Sequence, residues 1–119
     1  MILPSKIASA NYSLNEQEIG KWTDGKKLYR KIVNLPAFTV SGGMWKTSAN
    51  HGISSISQLI HASGFMYRSD GTWFPLPYAT PYTNADVQIT VSSTQVSLDA
   101  GTDRTNCSKI IVILEYTKN

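Results

Sequence analysis

The acidic residues and histidines are the side chains of this sequence whose chemistry could support catalysis or hold a metal. The chain has eight carboxylates and two histidines, His51 and His61, among 119 residues. Glycoside hydrolysis needs two carboxylates that face each other across a cleft. Most carboxylates here fall in predicted turns, where an Asp side chain bonds the nearby backbone. Neither histidine stands in a His-x-x-x-His or Ser/His/Asp context, so we predict no catalytic residue, no metal and no cofactor.

The polar segment 99–107 holds the residue types of a cation site without the spacing of one. Asp99, Asp103 and Asn106 could offer oxygen atoms to a calcium ion, but they do not follow a defined calcium-binding motif. Cys107 is the only cysteine, which excludes an intramolecular disulfide and a cysteine-based metal site.

Aromatic residues in loops are stronger candidates, and they point to binding rather than to catalysis. Sugars present apolar C–H faces that stack on Trp and Tyr, and hydroxyl groups that bond to Asn, Asp and Arg. Trp45, Trp73, Tyr78 and Tyr82 lie near predicted loops or strand ends, where exposed aromatics are more informative than aromatics on a core face. Tyr82, inside Thr80–Asn84, is the least core-like. The alternative is that Trp22, Trp45 and Trp73 are core residues. The candidate saccharide-binding residues are Trp45, Tyr82, Asn84, Asp103 and Arg104.

Length and composition predict one folded domain with polar, uncharged turns. A chain of 119 residues is large enough for one core but not for two. Apolar residues make up 41% and charged residues only 16%, which argues against a disordered segment. The net charge of +3 is mild, and Asp24 interrupts the basic residues of segment 21–31, so we predict no nucleic-acid partner. We also predict no membrane-inserted span and no signal peptide.

Two Asp-Gly turns organise the predicted strands. Asp24-Gly25 is a tight-turn signal before the strand that starts at Leu28, and Asp70-Gly71 is a hairpin signal between Leu59–Arg68 and Trp73–Tyr78. Short strands with turn signals every ~8–12 residues are typical of a sandwich or barrel. The prolines of segment 73–78 cannot donate to a ladder, so that segment is predicted to be an edge strand or to lack partners at those positions. We therefore predict an all-β fold, an antiparallel β-sandwich of about seven or eight short strands.

Two short helical turns are predicted as well. Ser13 and Glu16 have the Ser-x-x-Glu spacing of a capping box, and Gly20 follows at a distance suited to a C-terminal stop. Within Ser54–Ile60, apolar residues have helical spacing, which predicts one turn of helix that passes into a strand at Leu59–Tyr67.

The last predicted strand, Ile110–Lys118, is apolar on both faces over its first half. Its alternate residues from Ile110 to Tyr116 point one way, while Ile111 and Ile113 point the other. An antiparallel strand with one solvated face would alternate apolar and polar residues. We predict that Ile111 and Ile113 form a trimer interface. The alternative is that both faces are covered within one chain.

The order of segments resembles the small C-terminal head domains of phage tail fibres and related prophage tail proteins. The first block is the pattern Tyr-Ser-x-x-Glu-x-x-Ile-Gly-Lys-Trp-x-Asp-Gly-Lys-x-Leu-Tyr of residues 12–29. The later blocks are His51–Ser54, Gly64-Phe65, Phe74–Tyr78 and the closing Val112–Lys118. The resemblance spans residues 12–118, and its first and last blocks are the most specific. Lys27 stands where a proline is often found.

This resemblance implies a non-catalytic β-sandwich that trimerises at the tip of a fibre and binds saccharides of the host cell surface. Residues 1–11 are then the lead-in from an upstream stalk, and 12–119 form the head. The protein would be made in the bacterial cytoplasm without a signal peptide and would act in the virion tail. The binding-site residues are not transferable. Two alternatives remain open, a purely structural tail or baseplate domain and a small glycan-degrading enzyme.

Overall fold

A computed structural model describes residues 12–82 and 84–119 of the chain. That part contains nine strands and no helix, so the all-β prediction is confirmed with more strands than expected. The predicted lead-in, residues 1–11, lies outside the described residues. The strands are β1 (Gln17–Lys21), β2 (Lys27–Leu35), β3 (Thr39–Ser41), β4 (Met44–Asn50), β5 (Ile56–Arg68), β6 (Trp73–Leu76), β7 (Val87–Val91), β8 (Gln95–Ala100) and β9 (Cys107–Lys118).

The strands form two antiparallel sheets that share one core. The first sheet has five strands in the order β1-β2-β9-β5-β6, and the second has four in the order β3-β4-β8-β7. Alternate residues of each strand point to the same face, so one face of each sheet enters the core. The core draws Val33, Met66, Val112 and Leu114 from the first sheet and Val96 and Leu98 from the second.

β9 is the central strand of the five-stranded sheet, and its two faces differ in burial. Its alternate residues from Ile110 to Tyr116 are fully buried in the core. Ile111 and Ile113 lie on the opposite face and are only half-buried. The predicted assignment of the two faces agrees with this pattern. Because β2 and β5 flank the strand, their side chains give the outer residues partial cover.

The predicted N-terminal helical turn is wrong, because both of its signature residues have other partners. The Ser13 hydroxyl accepts a 3.0 Å hydrogen bond from the amide of Asn15, which closes a local turn. Glu16 reaches across to β9 instead, where its carboxylate accepts hydrogen bonds from Tyr116 (2.7 Å) and Lys118 (3.2 Å). These two charge-assisted bonds replace the single backbone amide that a capping box would offer.

Gly20 likewise ends no helix. It lies in β1, where the pairing register with β2 shifts between Glu18 and Gly20. Its φ of +152° is a value that favours glycine. The residue therefore serves a β-bulge, which needs a locally distorted backbone.

The second predicted helical turn, within Ser54–Ile60, is also wrong. β5 starts inside this segment and runs antiparallel to β9. The pairing slips twice there, between Ile56 and Gln58 and between Leu59 and His61. Each bulge adds one residue to the strand and interrupts the two-residue alternation. The interrupted alternation explains why the apolar residues of this segment have helical spacing.

Both Asp-Gly turns are present where the sequence predicts them. In the β1–β2 turn, the Gly25 amide donates to the Trp22 carbonyl over 2.9 Å, and the Lys26 amide donates to Asp24 Oδ1 over 2.9 Å. Gly25 has a φ of +86°, which residues with a β-carbon rarely adopt. The second turn joins β5 to β6, and β6 is an edge strand, which is one of the two alternatives that its prolines left open.

Candidate functional site

Four connections lie at the same end of the two sheets, and we call this end the loop end. It consists of the β3–β4 turn (41–44), the β5–β6 turn (69–72), the β6–β7 loop (77–82 and 84–86) and the β8–β9 loop (101–106). Hydrogen bonds tie the loops together. The Ser69 amide donates to the Asn106 carbonyl over 3.0 Å, and the Thr102 hydroxyl donates to the Asn84 carbonyl over 2.7 Å. The β5–β6 turn, the β6–β7 loop and the β8–β9 loop are therefore connected to one another.

Tyr82 and Asn84 lie at the loop end, in the β6–β7 loop. Tyr82 is 77% exposed, and its amide donates to the Thr80 hydroxyl over 3.3 Å. Asn84 has a φ of +61° and packs closely against Gly101, where an added β-carbon would lie 2.8 Å from the Asn84 carbonyl oxygen. These contacts hold the loop in shape while the phenol of Tyr82 remains open to solvent.

Arg104 does not reach the surface, although the sequence made it a candidate ligand contact. Its side chain is buried, and Nη2 donates to the Ala85 carbonyl over 2.7 Å. Its guanidinium carbon lies 5.0 Å from the centre of the Phe74 ring and 5.5 Å from that of Tyr78. Among the described residues, its Nε has no partner. Arg104 joins the β6–β7 and β8–β9 loops from inside the fold.

Of the remaining two candidate saccharide-binding residues, Asp103 lies on the surface and Trp45 packs against the core. Asp103 is exposed, but its carboxylate accepts hydrogen bonds from the Thr105 hydroxyl (2.7 Å) and amide (2.9 Å), which lower its pKa. Trp45 lies on β4 opposite Ala100 and packs against the core, half-buried. The alternative reading of Trp45 as a core residue is therefore closer to its position than a ligand contact.

Sequence reasoning missed an aromatic cluster on the outer face of the five-stranded sheet. Phe65 and Tyr67 alternate on β5, and Trp73 on β6 is the register partner of Tyr67. The Trp73 ring centre lies 4.6 Å from that of Tyr67 and 5.6 Å from that of Phe65. We call these three residues the aromatic platform. Trp73 is 52% exposed, so it is not a core residue.

The sequence held a signal for this platform. Tyr67 and Trp73 lie three residues before and after Asp70 in a predicted hairpin, which makes them cross-strand partners on one face. Phe65 follows from the two-residue alternation of a strand. The sequence named Trp73 as a possible sugar-stacking residue, but it gave no role to Phe65 or Tyr67.

Lys109 extends over the aromatic platform from a distorted position in β9. Its Nζ lies 5.1 Å from the centre of the Tyr67 ring and 5.9 Å from that of Trp73. The β5–β9 register passes from Phe65–Ile111 to Tyr67–Ser108, so Lys109 falls in a bulge, and its φ is +49°. A left-handed conformation costs a residue with a β-carbon about 1–2 kcal/mol. Within the described chain, no carboxylate or hydrogen-bond acceptor pairs with its ammonium.

All eight carboxylates lie in the described residues, and each has a local partner. Asp70 accepts hydrogen bonds from Arg68 and Thr72, and these hold its pKa at about 2. A general acid needs a raised pKa, whereas the shifted carboxyl groups, Asp70 and Asp103, both have lowered ones. The other partners are the Lys26 amide for Asp24, the Thr80 amide for Asp86, Lys46 for Asp99, Lys27 for Glu18, Arg30 for Glu115, and Tyr116 and Lys118 for Glu16.

The two histidines have structural contacts. His51 is buried; its Nδ1 accepts a hydrogen bond from the Ile53 amide (3.0 Å), and its Nε2 donates to the Ser92 carbonyl (2.9 Å). His61 is exposed, and its Nε2 lies 3.0 Å from the Ser63 hydroxyl. In the part of the chain that the structure describes, no three residues among His, Cys, Asp and Glu are grouped as metal ligands.

The outer faces of the two sheets differ in character. On the five-stranded sheet, Ile32 and Ile113 are register partners, and Ile111 follows next to Ile113 on the same face. We call Ile32, Ile111 and Ile113 the apolar stripe. The outer face of the four-stranded sheet is polar and includes Lys46, Ser48, Thr90, Ser97 and Asp99. An apolar stripe on one outer face alone is a feature that a binding partner could use.

No protein-family model, curated protein or solved structure matched the chain in three comparisons. Within residues 12–82 and 84–119, no helix has the length and apolar character needed to cross a membrane.

Proposed function

We propose that this chain is the receptor-binding head domain of a phage or prophage tail fibre, a non-catalytic module at the fibre tip that binds host-surface saccharides. The two most specific segments of the resemblance, 12–29 and 112–118, contact each other. Glu16 of the first accepts a hydrogen bond from Tyr116 of the second, and the rings of Tyr29 and Tyr116 stack at 6.0 Å. The resembling residues therefore form one structural unit, which supports their use as a family signature.

The trimer is the part of the proposal that rests on the apolar stripe. Ile111 and Ile113 lie on the central strand, on the face that the second sheet does not cover. Complete burial of such a side chain contributes roughly 1.5–3 kcal/mol relative to exposure. Cyclic symmetry repeats this gain in every subunit and leaves no open surface for further growth.

Saccharide binding rests on the exposed aromatic residues at and beside the loop end. Tyr82 projects from the β6–β7 loop, and Trp73 lies at the start of β6. Three weak sites on one fibre tip would act together, and multivalent contact raises affinity by roughly two to four orders of magnitude.

A structural tail or baseplate domain is the second candidate, because the apolar stripe also suits assembly alone. The exposed rings of Tyr82 and Trp73 favour the binding module, since a trimer interface on the sheet needs neither of them. A glycan-degrading enzyme is less favoured because each carboxylate is engaged by a neighbour.

The test combines a mass measurement with a binding measurement on the full chain. Light scattering should give three times the 13.1 kDa of one chain. A glycan array of bacterial surface polysaccharides should show binding, without release of reducing ends from the bound polymers. A trimer that binds no glycan and adsorbs to no bacterial cell would favour the structural candidate instead. New reducing ends would favour the enzyme.

A further inference from the structure

We propose that the aromatic platform and Lys109 form a subsite for an acidic saccharide. The apolar face of a sugar ring stacks on Trp73, and a carboxylate or phosphate of the same glycan pairs with the Lys109 ammonium. The inference rests on the proposed function, because it gives a location and a charge to the saccharide site that the function requires.

The geometry of Trp73 suits a flat apolar ligand. Tyr67 supports the indole at a centroid distance of 4.6 Å and Phe65 meets it edge-on at 5.6 Å, yet half of its surface remains open. A ring held by two neighbours loses little freedom when a ligand binds, so this surface is organised in advance. The C–H face of a pyranose is the ligand surface that matches an open indole.

Lys109 supplies the charge. Its ammonium has three donors, and in the described chain its contacts are the faces of Tyr67 and Trp73. The bulge in β9 and the positive φ of Lys109 bring this side chain beside the rings, and bulges often direct a side chain towards a site. The net charge of +3 would attract an anionic polymer to the protein as a whole.

A second copy of this chain is the competing occupant, because the platform borders the apolar stripe. Phe65 is the register partner of Ile111, so an interface on the stripe could extend over the rings. Such an interface would remove the Lys109 ammonium from water, while each carboxylate of the second copy already has a partner in its own chain. A buried charge without a partner is strongly unfavourable. An acidic glycan provides that anion. Charge complementarity therefore assigns the platform to the glycan and leaves the stripe to the trimer.

The experiment is a titration of the full chain with three probes. They are a hyaluronan tetrasaccharide, which carries glucuronate carboxylates, the same tetrasaccharide with its carboxylates reduced to alcohols, and a tetrasaccharide that carries phosphate monoesters instead of carboxylates. Calorimetry and tryptophan fluorescence report binding. We expect at least one acidic probe to bind about tenfold more tightly than the reduced tetrasaccharide, and its affinity to fall with added salt. The carboxylate and phosphate arms identify which anion is preferred.

Variants separate the two parts of the subsite. Trp73→Ala should lower the affinity for the preferred acidic probe by about tenfold or more. Lys109→Gln should bind that probe only as tightly as the parent binds the reduced tetrasaccharide. Tyr12→Ala and Lys46→Gln are the matched controls, because they change an exposed ring and an exposed lysine elsewhere. Both controls should bind as the parent does, and circular dichroism should show that every variant is folded.

The inference is overturned if the parent binds neither acidic probe, or binds the reduced probe equally well. It is also overturned if Trp73→Ala and Lys109→Gln bind as the parent does. Adsorption to bacterial cells distinguishes this failure from failure of the proposed function. A parent that adsorbs as a trimer, with both variants adsorbing equally, keeps the function and removes the subsite. A parent that neither trimerises nor adsorbs removes the function itself.

Discussion

The Tyr116 hydroxyl donates a 2.7 Å hydrogen bond to Oε1 of Glu16, across 100 residues of chain. Lys118 contacts the other carboxylate oxygen at 3.2 Å, and the Tyr29 ring stacks on Tyr116. The contact fastens the segment before β1 to the central strand of the five-stranded sheet. Burial raises the pKa of Tyr116 far above its usual value, and the hydrogen bond to Glu16 raises it further.

Tyr116→Phe should lower the free energy of unfolding by about 1.5–3 kcal/mol, the usual contribution of a hydrogen bond to a charged group. The variant should also change how the free energy of unfolding depends on pH at alkaline pH. Because the folded state keeps the phenol proton to higher pH than the unfolded state does, this contribution is complete below about pH 10 and is lost above it. Urea unfolding between about pH 8 and pH 11 measures both effects. Tyr82→Phe is the control, and an equal alkaline loss in parent and Tyr116→Phe would contradict the prediction.

Gly25→Val should lower the thermal midpoint, with a cost of about 1 kcal/mol. Gly25 has a φ of +86°, and a β-carbon there would meet nothing within 4 Å, so backbone strain alone should set the loss. Gly25→Asn should lose less, because Asn tolerates a positive φ better than Val does. Differential scanning calorimetry on the parent and both variants checks the order. An unchanged thermal midpoint in Gly25→Val would contradict the claim that this turn needs a glycine with a positive φ.

Ile113→Asp should dissociate the trimer or prevent folding, because a carboxylate would replace an apolar contact of the proposed interface. Ser48→Asp is the matched control, since Ser48 is exposed on the polar outer face of the other sheet. Light scattering at micromolar concentration should report a trimer for the parent and for Ser48→Asp. A well-folded monomer of the unmodified chain would contradict the trimer directly.

Tyr82→Ala should weaken adsorption to host cells while leaving the thermal midpoint unchanged, because the phenol is exposed and contributes little to the core. Trp73→Ala, tested beside it, separates the loop surface from the aromatic platform. Equal adsorption by Tyr82→Ala and the parent would move the saccharide contact away from the β6–β7 loop.

Lys109→Gly should raise the free energy of unfolding slightly, by about 0.5 kcal/mol. Glycine relieves the strain of a φ of +49°, and the extra flexibility of the unfolded chain offsets part of this gain. A residue kept for binding rather than for stability should behave in this way. A large loss of stability in urea unfolding would instead make Lys109 a structural residue.

The sequence alone was sufficient for features that depend on neighbouring residues. The Asp24-Gly25 and Asp70-Gly71 turns, the edge position of β6 and the two apolar faces of β9 all follow from local backbone chemistry and two-residue alternation. Each of these patterns acts over a few residues. No distant partner is needed to specify them.

Tertiary structure decided the features that depend on which strands pair and in which register. Glu16 forms no capping box, because β9 brings Tyr116 and Lys118 within hydrogen-bond distance of its carboxylate. The local sequence around Glu16 does not indicate these distant partners. Bulges in the β5–β9 ladder turn a helix-like spacing into a strand and place Lys109 beside Tyr67 and Trp73. A bulge shifts every later side chain relative to its partner strand, so the surface that results can be known only when both strands are in place.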